Sequence, residues 1–303
     1  MDSINCAIFN ADLAKALGKR ENESDLEIFH RSHNNRIITF LLPKLYPEKI
    51  NALFQALHLS QYVFLYVDKI DSTLGETLIA IDALEKQNGF VALDDSIDEA
   101  LFSKVVKGNP AESYLRISKD EILDKLAAAD LKRVEGKTIV DMDAMFNVKN
   151  IGLIGLGFVS QGNLLKFQAM KALPCNRDIT IRTIQKQDKD FNDAQCNDRV
   201  GVSLKGIEVD DFSRGLVLTD DPEFFALKDL KLEFEKNKFY KKELSLNQQL
   251  HLQCRMQITG CLVKQLSPLV VEASKPIACK KGSQIALIDI DSKPRIAGKG
   301  KVI

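Results

Sequence analysis

The feature that most constrains the fold of this chain is a change of pattern near residue 135. Before it, continuous apolar segments alternate with segments whose apolar residues recur at helical spacing. After it, short segments alternate apolar and polar residues and are separated by Gly, Asn and Asp. The first pattern is typical of a parallel sheet covered by helices on both faces. The second is typical of antiparallel β-barrels and sandwiches.

The first part of the chain contains both kinds of segment in alternation. Helical spacing of the apolar residues predicts helices over 47–59, 73–87 and 119–129. Continuous apolar runs predict buried strands over 4–9, 36–42, 62–67 and 89–93.

The second part divides into two β regions. Strands are predicted over 137–140, 179–184, 200–204 and 216–218, and again over 230–234, 250–257, 260–266 and 283–290. Between them, residues 219–223 are polar and contain a proline, which is typical of a linker. We therefore predict three domains, over residues 1–135, 136–222 and 228–303.

Formal charge is distributed unevenly along the 303 residues. Residues 228–303 contain 15 Lys and Arg against 7 Asp and Glu, whereas the rest of the chain contains 27 against 35. A basic last third favours a partner with a phosphate backbone. The same lysines would equally serve as a solubilising surface, and both interpretations stay open here.

Other sequence features argue against several classes of protein. No apolar run approaches the roughly 20 residues that span a bilayer, and the N-terminus is acidic, so we expect a cytoplasmic protein without a membrane partner. The six cysteines contain no Cys-x-x-Cys pair and are expected to be buried thiols rather than metal ligands. His30 and His33 lie in a polar stretch that we interpret as a solvated loop.

Residues 151–160 read IGLIGLGFVS and allow two interpretations. In a dinucleotide-binding turn, Gly155 and Gly157 would lead into a helix that carries the pyrophosphate. Ser160 is larger than the third glycine of that motif, and the remaining residues lack repeated strand–helix units. Alternatively, the glycines let barrel strands bend and approach one another closely.

The second interpretation is supported by a family resemblance. Residues 146–162 have Phe, Val and four glycines in order, residues 198–207 read DRVGVSLKGI, and residues 214–218 read RGLVL. These motifs resemble the second domain of the translational GTPase superfamily, which includes EF-Tu and the selenocysteine-specific elongation factor (SelB-like proteins). The chain resembles in particular a degenerate archaeal subgroup, the EF-Pyl-like proteins. The resemblance implies a degenerate P-loop GTPase-like α/β domain followed by two β-barrels.

The nucleotide motifs of that superfamily are largely missing from the first domain. In the loop G-x-x-x-x-G-K-[ST], Leu13 replaces the first glycine and Arg20 the hydroxyl residue, which leaves Gly18 and Lys19 as a remnant. The Asp-x-x-Gly motif is absent after the second strand, and of the guanine-reading motif only an acid such as Asp94 persists. We therefore expect no cofactor, weak Mg-GTP binding at most and no significant hydrolysis. An active GTPase with unusual motifs is the alternative.

The resemblance also implies binding residues and partners. By motif position, the pocket for the aminoacyl group would include Asp143, Ala144, Phe146 and Arg199. Without such a role, Phe146 would be barrel core and Arg199 a surface ion-pair partner. Candidate phosphate contacts are Lys275, Lys280, Lys281, Lys293, Arg295, Lys299 and Lys301. The implied partner is aminoacyl-tRNA, with the ribosome as a further one and DNA not expected. A scaffold that docks on the ribosome or a synthetase is the rival function, and a dehydrogenase is a remoter one.

Overall fold

The computed structural model describes residues 1–150 and 152–303, which form two compact units. One unit comprises Met1–Lys132 together with Ser292–Ile296, and the other comprises Arg133–Asp291 together with Ala297–Ile303. The second unit contains two separately closed barrels. The three domain ranges expected from the sequence stay predictions.

The first unit is built on a seven-stranded sheet in the order β2-β3-β4-β1-β5-β6-β7. From β4 to β7 neighbouring strands run parallel, whereas β2, β3 and β4 pair antiparallel. The sheet is thus parallel over five strands, as the sequence predicts, and has an antiparallel edge formed by β3 and β2, which the sequence analysis did not predict. The strands are β1 (Asp2–Ile8), β2 (Lys19–Arg20), β3 (Leu26–His33), β4 (Arg36–Pro43), β5 (Tyr62–Val67), β6 (Gly89–Leu93) and β7 (Leu115–Arg116).

Helices cover both faces of this sheet. Ile4 and Ile8 of β1 pack in one core with Leu126, while Ala7, on the opposite face of the strand, is also fully buried. Side chains of Asn10, Asp71 and Asp98 cap three helices at their N-termini. The α-helices are α1 (Ala11–Leu17), α2 (Asn51–Leu59), α3 (Ser72–Ala83), α4 (Glu99–Val106) and α5 (Ile122–Ala128).

The two histidines predicted in a loop lie in strand β3 instead. His30 pairs with Thr39 across the β3–β4 hairpin, and its Nδ1 lies 3.1 Å from the Thr39 hydroxyl. Nε2 of His33 lies 2.7 Å from a carboxylate oxygen of Asp124. The hairpin turn is made by Asn34 and Asn35, both at positive φ (45° and 61°), a turn geometry that Asn tolerates better than most residues. The solvated-loop interpretation was wrong because this Asn-Asn signal was missed.

The first barrel closes through six antiparallel strands in the order β11-β16-β8-β9-β15-β12, with β12 pairing back to β11. β13 pairs with the last residues of β12, beyond those that pair with β11, and β10 pairs with β14. The strands are β8 (Ile139–Val148), β9 (Gly152–Gln161), β10 (Asn163–Leu165), β11 (Ala169–Leu173), β12 (Arg177–Lys186), β13 (Lys189–Phe191), β14 (Asp193–Gln195), β15 (Arg199–Lys205) and β16 (Val217–Thr219).

The glycine-rich segment forms strand β9, which pairs antiparallel with β8 and β15. A Cβ atom on Gly157 would lie 2.5 Å from the carbonyl oxygen of Asp141, and one on Gly155 would lie 2.3 Å from Cε of Met142. The glycines therefore allow close approach between strands and side chains. Gly157 lies in the middle of a strand and starts no helix, so the dinucleotide-binding interpretation was wrong. Ile151, which opens the segment, lies outside the described residues.

The second barrel also closes through six antiparallel strands, in the order β17-β20-β19-β18-β21-β22. Residues 219–223, predicted as a linker, are short and held in place, since Asp221 is buried and accepts a hydrogen bond of 2.7 Å from Lys280 Nζ. The strands are β17 (Phe225–Lys236), β18 (Gln249–Cys254), β19 (Gln257–Leu266), β20 (Leu269–Cys279), β21 (Gln284–Ile288) and β22 (Ile296–Val302).

Two further observations bear on the classes considered above. Five of the six cysteines are buried and Cys175 is half-buried; burial raises the pKa of the Cys261 thiol to about 12. In residues 1–150 and 152–303, none of the helices combines the length and the apolar character that crossing a bilayer requires.

Candidate functional site

The connection from β1 to α1 is where a P-loop would lie, and here it is only two residues long, Phe9 and Asn10. The Asn10 side-chain oxygen accepts hydrogen bonds from the backbone N–H groups of Asp12 and Leu13 at 3.1 and 3.0 Å. Such N-terminal N–H groups are the ones that bind phosphate in a P-loop. A nucleotide phosphate would therefore have to displace Asn10 and would meet the carboxylate of Asp12.

Gly18 and Lys19, the predicted remnant of the phosphate loop, lie at the other end of α1. The Gly18 N–H bonds the Ala14 carbonyl and ends the helix, and Lys19 lies in β2, paired with His30. In a P-loop the corresponding glycine and lysine stand at the start of the helix, where the N–H groups point outward. The two residues lie at the C-terminal end of α1 instead, and their role in nucleotide binding stays a prediction.

Asp94, the third predicted nucleotide ligand, directly follows β6 at the carboxyl edge of the sheet. Its Oδ2 accepts a hydrogen bond of 2.7 Å from the Tyr66 hydroxyl, and its Oδ1 accepts one of 2.7 Å from the Ser96 hydroxyl. These bonds, Tyr66 first, lower the pKa of Asp94 to about 2. The carboxylate is thus ionised, and both its oxygens already have partners. Its role in nucleotide binding stays a prediction.

The predicted aminoacyl-pocket residues of β8 surround a β-bulge. The register of β8 against β9 shifts between Met142 and Ala144, which inserts Asp143 as an extra residue. Met142 and Met145 belong to the barrel core, whereas Asp143, Ala144 and Phe146 do not. One extra residue thus turns Asp143 and Ala144, as well as Phe146, away from the core. Because Phe146 is 43% exposed, its interpretation as barrel core was wrong.

Asp143 and Arg199 form an ion pair beside this bulge. Nη1 of Arg199 lies 3.1 Å from each carboxylate oxygen of Asp143, and both side chains are at least nine-tenths buried. The guanidinium also lies over the ring of Phe158, 4.9 Å from its centroid. Arg214 donates a hydrogen bond of 3.4 Å to the backbone carbonyl of Asp143. Arg199 is therefore a buried ion-pair partner of Asp143 and not the surface ion-pair residue that the alternative expected. The role of both residues in an aminoacyl pocket stays a prediction.

A second buried ion pair on the same strand was missed by the sequence analysis. Asp141 is fully buried, and Nε and Nη2 of Arg255 lie 2.9 and 2.7 Å from its two oxygens. Ser160 donates a further short hydrogen bond to the carboxylate. Burial alone would lower the pKa of Arg255, but the charge of Asp141 outweighs it and the pKa is raised. The partners are separated by 114 residues, so no local pattern could have indicated the pair.

The seven predicted phosphate contacts do not share one environment. Arg295 forms a two-armed ion pair with Glu76 within the first unit, with Nε 2.9 Å from Oε1, and Lys280 bonds Asp221. Lys299 lies 4.0 Å from a Glu235 oxygen. The four that remain exposed are Lys275, Lys281, Lys293 and Lys301. Arg295 and Lys280 thus neutralise carboxylates of the protein itself, and the role of all seven residues as phosphate contacts stays a prediction.

The chain is similar to proteins of translation in sequence and in structure. No protein-family model matches it. It is 26% identical over 309 aligned residues to the "uncharacterized protein MJ0325" of Methanocaldococcus jannaschii, with both chains covered completely. About half of it, 51%, is 26% identical to the selenocysteine-specific elongation factor of the same organism, of which only 32% is covered.

A solved structure decides the fold. The elongation factor SelB of Methanococcus maripaludis, in complex with the GTP analogue GppNHp, superposes with a TM-score of 0.84 and 19% identity, covering all of this chain and 79% of that one. This chain has the fold of a translational elongation factor. The predicted fold class, an α/β domain followed by two barrels, is confirmed, and so is the resemblance to the translational GTPases and SelB. Within this fold, Asn10 lies in the β1–α1 connection, Asp94 follows β6 at the carboxyl edge of the sheet, and Asp143, Ala144 and Phe146 lie at the β8 bulge.

Proposed function

We propose that the protein is a translation-factor-like RNA-binding protein that holds the aminoacyl end of a tRNA against the first barrel. The observation that carries the proposal is the bulge in β8, which turns Asp143, Ala144 and Phe146 away from the core beside Arg199. Sequence motifs of the superfamily predicted these same four residues as the pocket wall.

The chemistry of the wall suits an aminoacyl ester. The ester presents a positively charged α-amino group, a carbonyl oxygen and a side chain of variable polarity. The exposed ring of Phe146 offers apolar contact to the amino-acid side chain, and the buried Asp143–Arg199 ion pair beneath it fixes the shape and the polarity of the wall. The exposed lysines of the last third, such as Lys275 and Lys281, would supply contacts to tRNA phosphates.

We further propose that this binding needs no nucleotide. The residues present do not fit a magnesium–nucleotide complex, because Asn10 already occupies the N–H groups at the start of α1 and Gly18 and Lys19 lie at its end. Leu13 and Arg20 replace the glycine and the hydroxyl ligand of the motif. The first unit is accordingly a pseudo-GTPase rather than an enzyme, in contrast to the alternative of an active GTPase with unusual motifs.

A comparison of acylated and deacylated tRNA tests the proposal. Total tRNA from the native cells is bound at several salt concentrations, and the acylated form is expected to bind more tightly, with affinity that falls as a power of the salt concentration. Equal affinity for the two forms would contradict the pocket. No binding of either form would contradict the RNA partner and would favour the scaffold alternative.

A further inference from the structure

Phe167, in the turn between β10 and β11, combines two unfavourable features. Its φ is +67°, in the left-handed region that bulky side chains avoid and glycine occupies readily. Its side chain is also 70% exposed, so the ring contributes little to the barrel core. Neither packing nor backbone geometry accounts for a phenylalanine at this position, and a strained residue of this kind points to a binding role.

The backbone around Phe167 is firmly held, so the ring has a defined position. The Phe167 N–H donates a 2.7 Å hydrogen bond to the Ile181 carbonyl of β12. The Lys166 N–H donates one of 2.9 Å to the Asn192 carbonyl. The Leu165 N–H donates a third, also 2.9 Å, to the side-chain oxygen of Gln168. Because three hydrogen bonds hold the turn, its backbone need not become ordered when a ligand binds.

A second exposed ring lies next to this turn. The Lys166–Asn192 hydrogen bond brings the neighbours of those two residues, Phe167 and Phe191, to the same end of the barrel. Phe191 is 40% exposed and Leu165 is 47% exposed. We call Leu165, Lys166, Phe167 and Phe191 the aromatic patch.

Each ring of the aromatic patch has an ammonium group beside it. Nζ of Lys166 lies 5.1 Å from the centroid of Phe167, and Nζ of Lys186 lies 4.3 Å from that of Phe191. Lys186 also forms an ion pair of 2.9 Å with Asp198, which partly neutralises its charge. Lys166 is half-buried, with its ammonium group over the Phe167 ring. The patch thus pairs flat apolar faces with cations.

We propose that the aromatic patch binds unpaired nucleotides of an RNA. Bases stack on exposed aromatic rings regardless of their identity, and an adjacent ammonium group reaches the phosphate between two stacked bases. A protein partner would gain the apolar area of the rings but no particular benefit from an ammonium over each of them. The inference rests on the proposed function in taking RNA as the partner, and it adds a contact separate from the β8 bulge.

The strain at Phe167 makes a sharp test possible. The substitution Phe167→Gly removes the ring and suits the positive φ, so the melting temperature is expected to stay equal or to rise. Affinity for a short fluorescein-labelled RNA without base pairing, measured by anisotropy, is expected to fall about tenfold. The matched control is Asn176→Gly, at another positive φ of the same barrel (56°), which should leave RNA affinity unchanged.

Two titrations separate this inference from the proposed function. If Phe167→Gly binds the unpaired RNA as tightly as the wild type, or if the wild type does not bind that RNA while binding aminoacyl-tRNA, the aromatic-patch proposal is overturned and the pocket stands. If the wild type binds neither RNA, both proposals fail. If Phe167→Gly lowers the affinity for unpaired RNA but variants at the β8 bulge leave the affinity for aminoacyl-tRNA unchanged, the aromatic-patch proposal stands and the pocket proposal is wrong.

Discussion

Arg255 and Asp141 form a two-armed ion pair in which Nε and Nη2 lie 2.9 and 2.7 Å from the two carboxylate oxygens. The pair joins the turn between β18 and β19 to strand β8, and it thereby connects the two barrels of the second unit. Two residues further along β8, Asp143 forms the ion pair with Arg199 at the candidate pocket. Strand β8 is thus held by two buried ion pairs that lie two residues apart.

The first prediction concerns the stability that depends on Arg255. The substitution Arg255→Ala leaves the fully buried Asp141 without its main cationic partner, and we expect the free energy of unfolding to fall by about 3–5 kcal/mol. Urea denaturation measures it. Arg177→Ala, which removes the partner of Asp211 at an exposed site, is the control and should cost about 1 kcal/mol or less. Equal losses in the free energy of unfolding for the two variants would show that the buried ion pair contributes no more to stability than the exposed one.

The second prediction separates binding from stability at the pocket. Phe146 is 43% exposed, so Phe146→Ala should change the free energy of unfolding by less than about 0.5 kcal/mol. Affinity for aminoacyl-tRNA should nevertheless fall about tenfold, equivalent to about 1.4 kcal/mol. Phe225→Ala removes a ring of the second barrel that is 57% exposed and should have no effect on binding. If Phe225→Ala weakens binding as much as Phe146→Ala does, the pocket is placed wrongly.

The third prediction tests why β9 is rich in glycine. Gly157→Ala places a Cβ 2.5 Å from the backbone carbonyl oxygen of Asp141, which cannot move without disturbing β8. We expect a loss of about 1–3 kcal/mol in the free energy of unfolding. Gly75→Ala, in α3 with no atom within 4 Å of the new Cβ, should instead gain about 0.5–1 kcal/mol. A neutral Gly157→Ala would mean that the strands are farther apart than described.

The fourth prediction concerns acid pH. Hydrogen bonds from Tyr66 and Ser96 lower the pKa of Asp94 to about 2, below its ordinary value of 3.8. The unfolded chain therefore binds a proton at higher pH than the folded one, so the stabilisation is complete above about pH 4 and is lost as the pH falls towards 2. Wild type should be more stable than Asp94→Asn at neutral pH, and the difference in melting temperature should shrink below pH 4. A constant difference across this range would show that folding does not lower the pKa of Asp94.

Some elements could be predicted from the sequence with their full bounds. Tyr62–Val67 and Gly89–Leu93 were predicted as strands over the same residues, because strands buried on both faces of a parallel sheet are continuous apolar runs. The glycine spacing of β9 predicted a barrel hairpin through its resemblance to a family, since the spacing alone was compatible with a dinucleotide turn.

Other elements could not be predicted, for reasons that are physical. Strand β3 continues from Leu26 through His30 to His33, and its polar second half has the composition of a loop until pairing with β4 is known. Arg255 and Arg199 find their carboxylates across 114 and 56 residues, so their burial depends on the closed barrels. Gly18 and Lys19 have the residue types of a phosphate-binding motif. The seven-residue helix α1 precedes them, so they lie at its C-terminal end and not at a helix N-terminus.

The most direct test of the account is the affinity of the protein for aminoacyl-tRNA with and without nucleotide. Because Asn10 occupies the N–H groups that would bind phosphate, we expect the same Kd with Mg-GTP, with Mg-GDP and with no nucleotide. Isothermal titration with Mg-GTP alone should release no heat of binding at near-millimolar concentration. Aminoacyl-tRNA binding that appears only with GTP would contradict the account.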